Sequence, residues 1–212
     1  MPEWFGYFSF VLKGMANTSL IVGAAIPLAM LASLVVGIGA GSKSALVRLI
    51  MVFYTEIFRG TSAVVQLVWC YYALPVIGIR LSPIATAIIV LGLNGGAYGS
   101  EIVRGALGAV PKDQIEAALA LNYGKWQQLR HVVLPQALRY AIPPLGNLSI
   151  DILKASALAS LVTVGDLTFY TQLLRNFTGS TLIPFLTAFV AYFAMASLIA
   201  VIFRKIEKGL PG

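Results

Sequence analysis

The sequence predicts an all-α integral membrane protein of five crossings with one long polar loop on the inner side. Three observations lead there. The 212 residues are 58% apolar and only 11% charged, with a mean hydropathy of +0.86, whereas a soluble domain of this size carries about a quarter charged residues. Apolar runs of membrane-spanning length recur along the chain, and the basic residues sort to one side when the runs are threaded as crossings. The net charge of +7 therefore follows topology, and no basic stripe interleaved with aromatics points to nucleic acid. Cys70 is the only cysteine, which rules out an intrachain disulfide and gives no support to a cysteine-based metal site.

Taken in order, Trp4, Phe5, Tyr7, Phe8 and Phe10 predict an interfacial aromatic belt at the outer surface. Glu3 precedes any basic residue and the apolar run that follows is too long for a signal-peptide core, so the first segment is expected to stay. Residues 18–40, 61–79, 81–100 and 182–203 are each long enough to cross hydrocarbon, which takes about 20 helical residues. Residues 145–164 make a fifth crossing, interrupted by Asp151 and Lys154. With five crossings and the amino terminus outside, the inner side receives Lys43, Arg48, Arg59, Arg104, Lys112, Lys125, Arg130, Arg139, Arg204, Lys205 and Lys208, while the outer side keeps Lys13, Arg80 and Arg175. That split obeys the positive-inside rule, and four crossings would spoil it.

Between the crossings, Gly37, Gly39, Gly41 and Ser42 suit either a turn or a close helix contact. Glu56 and Arg59 stand at a helical-neighbour spacing, and Arg59-Gly60-Thr61 reads as the start of the second crossing at the inner surface. Pro143-Pro144 is expected to set the start of the fourth crossing, because paired prolines suit a first helical turn and break an interior. Residues 165–181 read as a polar outer link, and the basic tail after Phe203 anchors the last crossing inside.

The long polar interruption, residues 110–138, reads as two short amphipathic helices. Asp113 is expected to cap the first, with Glu116 reaching back in a capping box. Ile115, Ala118 and Leu119 share a face; Asn122-Tyr123-Gly124 ends the helix, since Asn and Gly best tolerate a left-handed backbone. Trp126, Leu129 and Val133 repeat at helical spacing in the second helix, which Pro135 limits. Periodicity alone leaves two readings open, a hairpin on the bilayer surface or a docking device.

Four motifs resemble a known family. Glu116-Ala117-Ala118, three residues, Asn122, nine residues, then Val132-Val133-Leu134-Pro135 resembles the EAA loop of bacterial ABC importer permeases, with Asn122 where the family has Gly. The run from Phe58 to Pro75 resembles the polar amino acid branch of that family, the histidine, glutamine and arginine type, with Ser62 in place of a Pro. Ala97-Tyr98, Glu101, Arg104-Gly105 and Val110-Pro111 match a third signature of the branch. Residues 142–161 match a fourth, with Ser156-Ala157 replacing a Thr-Ser pair. The resemblance implies one permease domain over residues 1–212, of the type I importer kind, with a cytoplasmic coupling loop at about 108–136. It implies that Glu116, Ala117, Ala118, Asn122, Leu134 and Pro135 dock on a cytoplasmic ATPase dimer, which would bind the ATP and Mg. The other implied partners are a second copy or a homologous permease, an extracytoplasmic binding protein and the bilayer of the bacterial inner membrane.

Charged side chains at mid-bilayer are unfavourable by about 2.5–3.5 kcal/mol each, so the helix carrying Asp151 and Lys154 should not face lipid. The two can pair with each other, or line a wet pathway with Asn147 upstream and Ser156 beyond. The expected pathway set is Gln66, Asn94, Tyr98, Asn147, Asp151 and Lys154, which offers a zwitterion partners of both signs. Gln66, Asn94 and Tyr98 can equally bridge helices by hydrogen bonds, and Glu101 with Arg104 reads as a structural ion pair.

Other functions are weaker on the same residues. The sequence has no Walker-type phosphate loop, so ATP hydrolysis would fall to a separate subunit. An ion-coupled secondary transporter using Asp151 or Glu101 should show inverted repeats, and none is visible. An intramembrane protease would need a histidine at membrane depth, but the single histidine, His131, sits in the polar loop.

Overall fold

The computed structural model describes residues 3–209, with side chains from Tyr7 onward; the side chains of Trp4 and Phe5 lie outside the described residues. Among those described the chain is helical throughout, with no strand. The elements are α1 Glu3–Gly39, α2 Ala45–Gly60, α3 Ala63–Val68, α4 Pro83–Gly108, α5 Lys112–Ala120, α6 Lys125–Gln128, α7 Leu134–Ser156, α8 Leu167–Thr178 and α9 Leu182–Lys208. Four helical stretches are long and apolar enough to span a membrane, and the bent pair α2 and α3 makes a fifth.

Helix α4 is the centre. Its apolar stretch is 61% buried, against 11% for α9, whose Leu186, Phe189, Val190 and Phe193 point outward. A lipid-facing helix needs no more than this apolar outer face. The α1–α4 seam is made of small residues. Gly92, Gly96 and Gly99 of α4 lie against Leu28, Ala32 and Ser33 of α1, and a Cβ on Gly96 would come within 2.5 Å of the Ala32 Cβ. Hydrocarbon supplies no hydrophobic push between helices, so close backbone approach and dispersion hold such a seam. Ser33 donates back to the Ala29 carbonyl at 2.6 Å, which disposes of its hydroxyl inside the seam. Gly37 makes the same kind of approach to Val103, while Gly41 sits in the turn that follows α1. The small residues at the end of the first crossing thus serve both purposes.

The second crossing is not a straight helix over residues 61–79. Helix α2 ends at Gly60 and α3 starts after Ser62, at an angle of 101°. Ser62 caps α3 by accepting from the Val64 N–H, a role open to either Ser or Pro at a helix start. Helix α3 then widens at Trp69–Ala73, tightens at Leu74–Ile77 and ends at Gly78, whose φ is +88°. Arg59-Gly60-Thr61 therefore lies in a break and not at the start of a crossing. The break stands at mid-height of the bundle, because the Phe58 carbonyl meets Asn94 near the middle of α4.

Two more expectations change at α7. Pro143 and Pro144 lie inside it, where buried Ala141, Ile142, Leu145 and Gly146 pack the turn on both sides and hold the helix through its missing hydrogen bonds. Pro135 falls in the first turn of α7, after a wide turn over Leu129–Val133, so the second short helix of the loop runs on into the span. The link over 165–181 is in fact the amphipathic helix α8. Asp166 caps it, accepting from the Phe169 N–H at 2.8 Å, and it packs on α1 and α9. The amino-terminal residues continue α1 and do not form a free belt. Tyr7 shares a hydrogen bond with Thr187, Phe10 lies 5.5 Å from the Tyr170 ring, and Phe8 is exposed.

Candidate translocation site and coupling loop

A cavity of about 480 Å³ opens between α2, α4 and α7, within the size range of small-molecule sites. Its polar lining is Arg59, Asn94, Tyr98, Glu101, Asn147 and Asp151, set among Leu91, Ile102, Pro144, Leu148 and Ile152. Four of the six sequence-predicted pathway residues thus share one wall. Gln66 and Lys154 do not line it, but each is bonded to a member of the wall.

The break in the second span makes one side of this cavity. With α2 ending at Gly60, the Phe58 carbonyl has no helical partner and would be orphaned in a low-dielectric setting. Asn94 donates to it at 2.9 Å and Gln66 at 3.0 Å, and Asn94 also donates to the Gln66 side-chain oxygen at 3.2 Å. Gln66 further donates to the Thr61 hydroxyl at 2.7 Å. One amide on α4 and one on α3 therefore hold the open backbone in place. Gln66 is a helix-bridging group, while Asn94 bridges and faces the cavity.

The charged groups fall into two sets. On α4, Arg104 binds Glu101 one turn away, and Arg59 of α2 reaches the other carboxylate oxygen at 4.0 Å. The Arg59 guanidinium also lies 5.6 Å from the centre of the Tyr98 ring, a cation–π distance. On α7, Lys154 pairs with Asp151 at 3.0 Å, and both side chains are about two-thirds exposed, at 69% and 66%. The pair forms, and it is exposed. Asn147, one turn before Asp151, is exposed and makes no hydrogen bond with the described residues. Sequence reasoning missed Arg59, whose position on α2 became informative only with the bend.

The polar loop lies at the end of the bundle where α4 finishes. Helix α5 starts at Lys112 behind Pro111, so Asp113 is in its first turn and does not cap it. Pro fixes the backbone angle needed there, which leaves the expected capping box without a role. Helix α5 ends in a Schellman turn: Asn122 has φ +57°, its N–H donates to Leu119, and the Tyr123 N–H donates to Ala118. The Asn standing in for the family Gly thus adopts the left-handed backbone, and Gly124 is not needed for it. Gly124 instead begins α6, with its N–H held by the Gln127 side chain at 2.9 Å. Ala118 is buried and Ile115 half-buried, but Leu119 and Trp126 face outward, at 57% and 69% exposure, against the expected inward stripes. Glu116, Ala117, Leu121 and Asn122 are exposed beside them, Leu134 is half-buried, and Pro135 is exposed. His131 is a surface residue whose ring meets Tyr123 edge-on at 6.2 Å.

Residues 33–210 match the family described as binding-protein-dependent transport system inner membrane component. The protein "Probable amino-acid ABC transporter permease protein y4tF" of Sinorhizobium fredii is 39% identical, over 98% of this chain and 90% of that one. The L-cystine transport system permease protein TcyB of Bacillus subtilis is 34% identical, over 85% of this chain and 78% of its own length. Among solved structures, an amino acid ABC transporter crystallised with histidines superposes with a TM-score of 0.89 at 28% identity, covering 97% of this chain and 96% of that one. The MetNI methionine ABC transporter in an inward-facing form gives a TM-score of 0.81 at 21% identity, covering 96% and 97%, which speaks for the fold alone. The chain belongs to the binding-protein-dependent transport family. It is a membrane permease subunit of an ABC importer, with the type I fold, and not itself an enzyme.

Proposed function

We propose that this chain forms, with a second copy or a homologous permease, the path by which a polar amino acid or similar small zwitterion crosses the bacterial inner membrane. The observation that carries the reading is the cavity between the broken second span and α4 and α7, with amides and charges of both signs on an otherwise apolar wall. Relatives named for amino acids and cystine support the substrate class. An extracytoplasmic binding protein delivers the substrate to the far end. Asn94, Tyr98, Asn147 and Asp151 line the path, with Gln66 and Lys154 supporting them.

Residues 1–212 act as one permease domain, with the amino terminus outside and the carboxyl terminus in the cytoplasm. The loop over about 108–136 docks on an ATPase dimer that holds ATP and Mg. Its exposed face of Glu116, Ala117, Leu119 and Trp126 gives a partner both charge and apolar area. Asn122, Leu134 and Pro135 set the turn and the rigid continuation into α7 through which ATPase motion reaches the cavity wall.

Uptake into proteoliposomes tests this reading. The purified permease, ATPase and binding protein should take up an amino acid only with ATP inside, whereas uptake driven by an ion gradient without the ATPase would replace it with secondary transport. Glu116→Lys should leave the permease inserted but abolish co-purification of the ATPase. Normal co-purification with substrate-stimulated hydrolysis would remove the docking role.

A further inference from the structure

Arg59 is the one charged group of the cavity wall that makes no hydrogen bond with the described residues. Its guanidinium carries five N–H donors in a planar fork. The approach to Glu101, at 4.0 Å, is an ion pair beyond hydrogen-bonding distance. Glu101 itself is taken on its other oxygen by both the Nε and a terminal nitrogen of Arg104. Two guanidinium groups thus face one carboxylate, which leaves an uncompensated positive charge, and Arg59 is the member that lines the cavity. Tyr98 presents its ring to the guanidinium, a contact that uses none of its donors.

The α7 side of the wall carries a carboxylate. Asp151 lies in the lining, where its carboxylate also carries the ion pair to Lys154, a residue that does not line the cavity itself. The cavity therefore has an excess cation on its α2 side and, on its α7 side, a carboxylate that a substrate cation shares with Lys154. Arg59 also stands in the last turn of α2, where the helix dipole holds a cation in place.

Resting on the permease reading above, we propose that Arg59 is the carboxylate anchor of the translocation site. It takes the α-carboxylate of the transported amino acid through a two-pronged hydrogen bond, while the cationic part of the substrate faces Asp151. A planar fork matched to a planar carboxylate is the strongest charge-assisted pairing available to a side chain. It also orients the substrate, so the same site rejects molecules that lack the carboxylate.

The test uses the permease–ATPase complex in detergent without the binding protein, so that selection at the permease is read alone. Binding of radiolabelled L-arginine, L-histidine and L-glutamine is competed by each free amino acid and by its carboxamide. The wild type should prefer the acid by about tenfold or more. Arg59→Gln should bring the acid down to the carboxamide level while carboxamide binding stays as it was. Arg59→Lys should recover little of the preference, because a lysine keeps the charge and loses the fork. Equal wild-type affinity for acid and carboxamide would overturn the proposal, as would parallel loss of both in Arg59→Gln with full recovery in Arg59→Lys, which marks a mere tie to Glu101. If Arg59→Gln does not assemble, the wild-type competition and Arg59→Lys decide the matter. A wild type that carries out ATP-driven uptake but binds none of the three refutes the anchor alone, while absence of amino acid uptake refutes the permease reading beneath it.

Discussion

The α1–α4 seam and the α2–α3 break lie side by side in one bundle and use small residues in opposite ways. Along the seam, Gly92, Gly96 and Gly99 remove side chains so that two unbroken helices approach closely. At the break, Gly60, Thr61 and Ser62 release the backbone, and the freed Phe58 carbonyl is taken up by amides from α3 and α4. The first arrangement is closely packed and buried. The second puts polar groups at mid-height without leaving them unpaired, which is the condition for non-helical backbone inside a membrane. A scaffold and a pathway wall are thus built from similar residues, and what separates them is where the carbonyls go.

The comparison can be broken first at the seam. Gly99→Leu drives a side chain into Ser33, whose hydroxyl already occupies the position of a Cβ on Gly99. It should destabilise the bundle by about 3 kcal/mol or more, with no monodisperse complex on size exclusion. Gly23→Ala, which has no neighbour within 4 Å, should behave as wild type. Equal tolerance at the two positions would remove the seam from the account.

At the break, Asn94→Leu strips the Phe58 carbonyl of one of its two donors and leaves Gln66 to hold it alone. Stability should fall by about 1–3 kcal/mol, and transport by about tenfold even where the ATPase stays bound, a factor worth about 1.4 kcal/mol. Unchanged uptake would mean that the break holds itself.

The smallest effect concerns the far end, where Asp166 caps α8 from a fully buried position with its Oδ2 unpartnered. Burial pushes its carboxyl up from 3.8 to about 6. Between those values the folded chain keeps a proton that the unfolded chain has released, so the contribution of Asp166 is full below 3.8 and is lost as pH rises through 6. Asp166→Asn keeps the capping oxygen and should remove this fall, raising the melting temperature at pH 7 by a few degrees relative to wild type. The gap between the two should close near pH 4. A gap independent of pH would show that burial does not hold the proton there.

Much of this was legible in the sequence. Five crossings, the polar loop and the left-handed turn at Asn122 follow from hydropathy, charge asymmetry and the backbone tolerance of Asn. The break was not, because residues 61–79 have the same hydropathy whether straight or bent, and only the Asn94 and Gln66 bonds to Phe58 reveal the bend. Pro143 and Pro144 misled for the reverse reason, since a rule about isolated helices gave way to packing against Gly146 and its neighbours. Helix α8 was hidden by its polar residues, although Asp166 followed by an amphipathic run was a signal that could have found it. In the site, the residues on α4 and α7 were found from their polarity within apolar runs. Arg59 was passed over because the expected topology put it at the membrane surface.

The central claim is that the wall shared by the break, α4 and α7 is a water-filled route whose access changes with nucleotide. A single cysteine at Asn147 in a Cys70→Ser background, probed with a membrane-impermeant maleimide in proteoliposomes, tests it most directly. The account predicts labelling that a transported amino acid blocks and that trapping of the ATPase with ATP and vanadate shifts from one side of the membrane to the other. A cysteine that stays unlabelled in every state, or labels regardless of substrate and nucleotide, would contradict it.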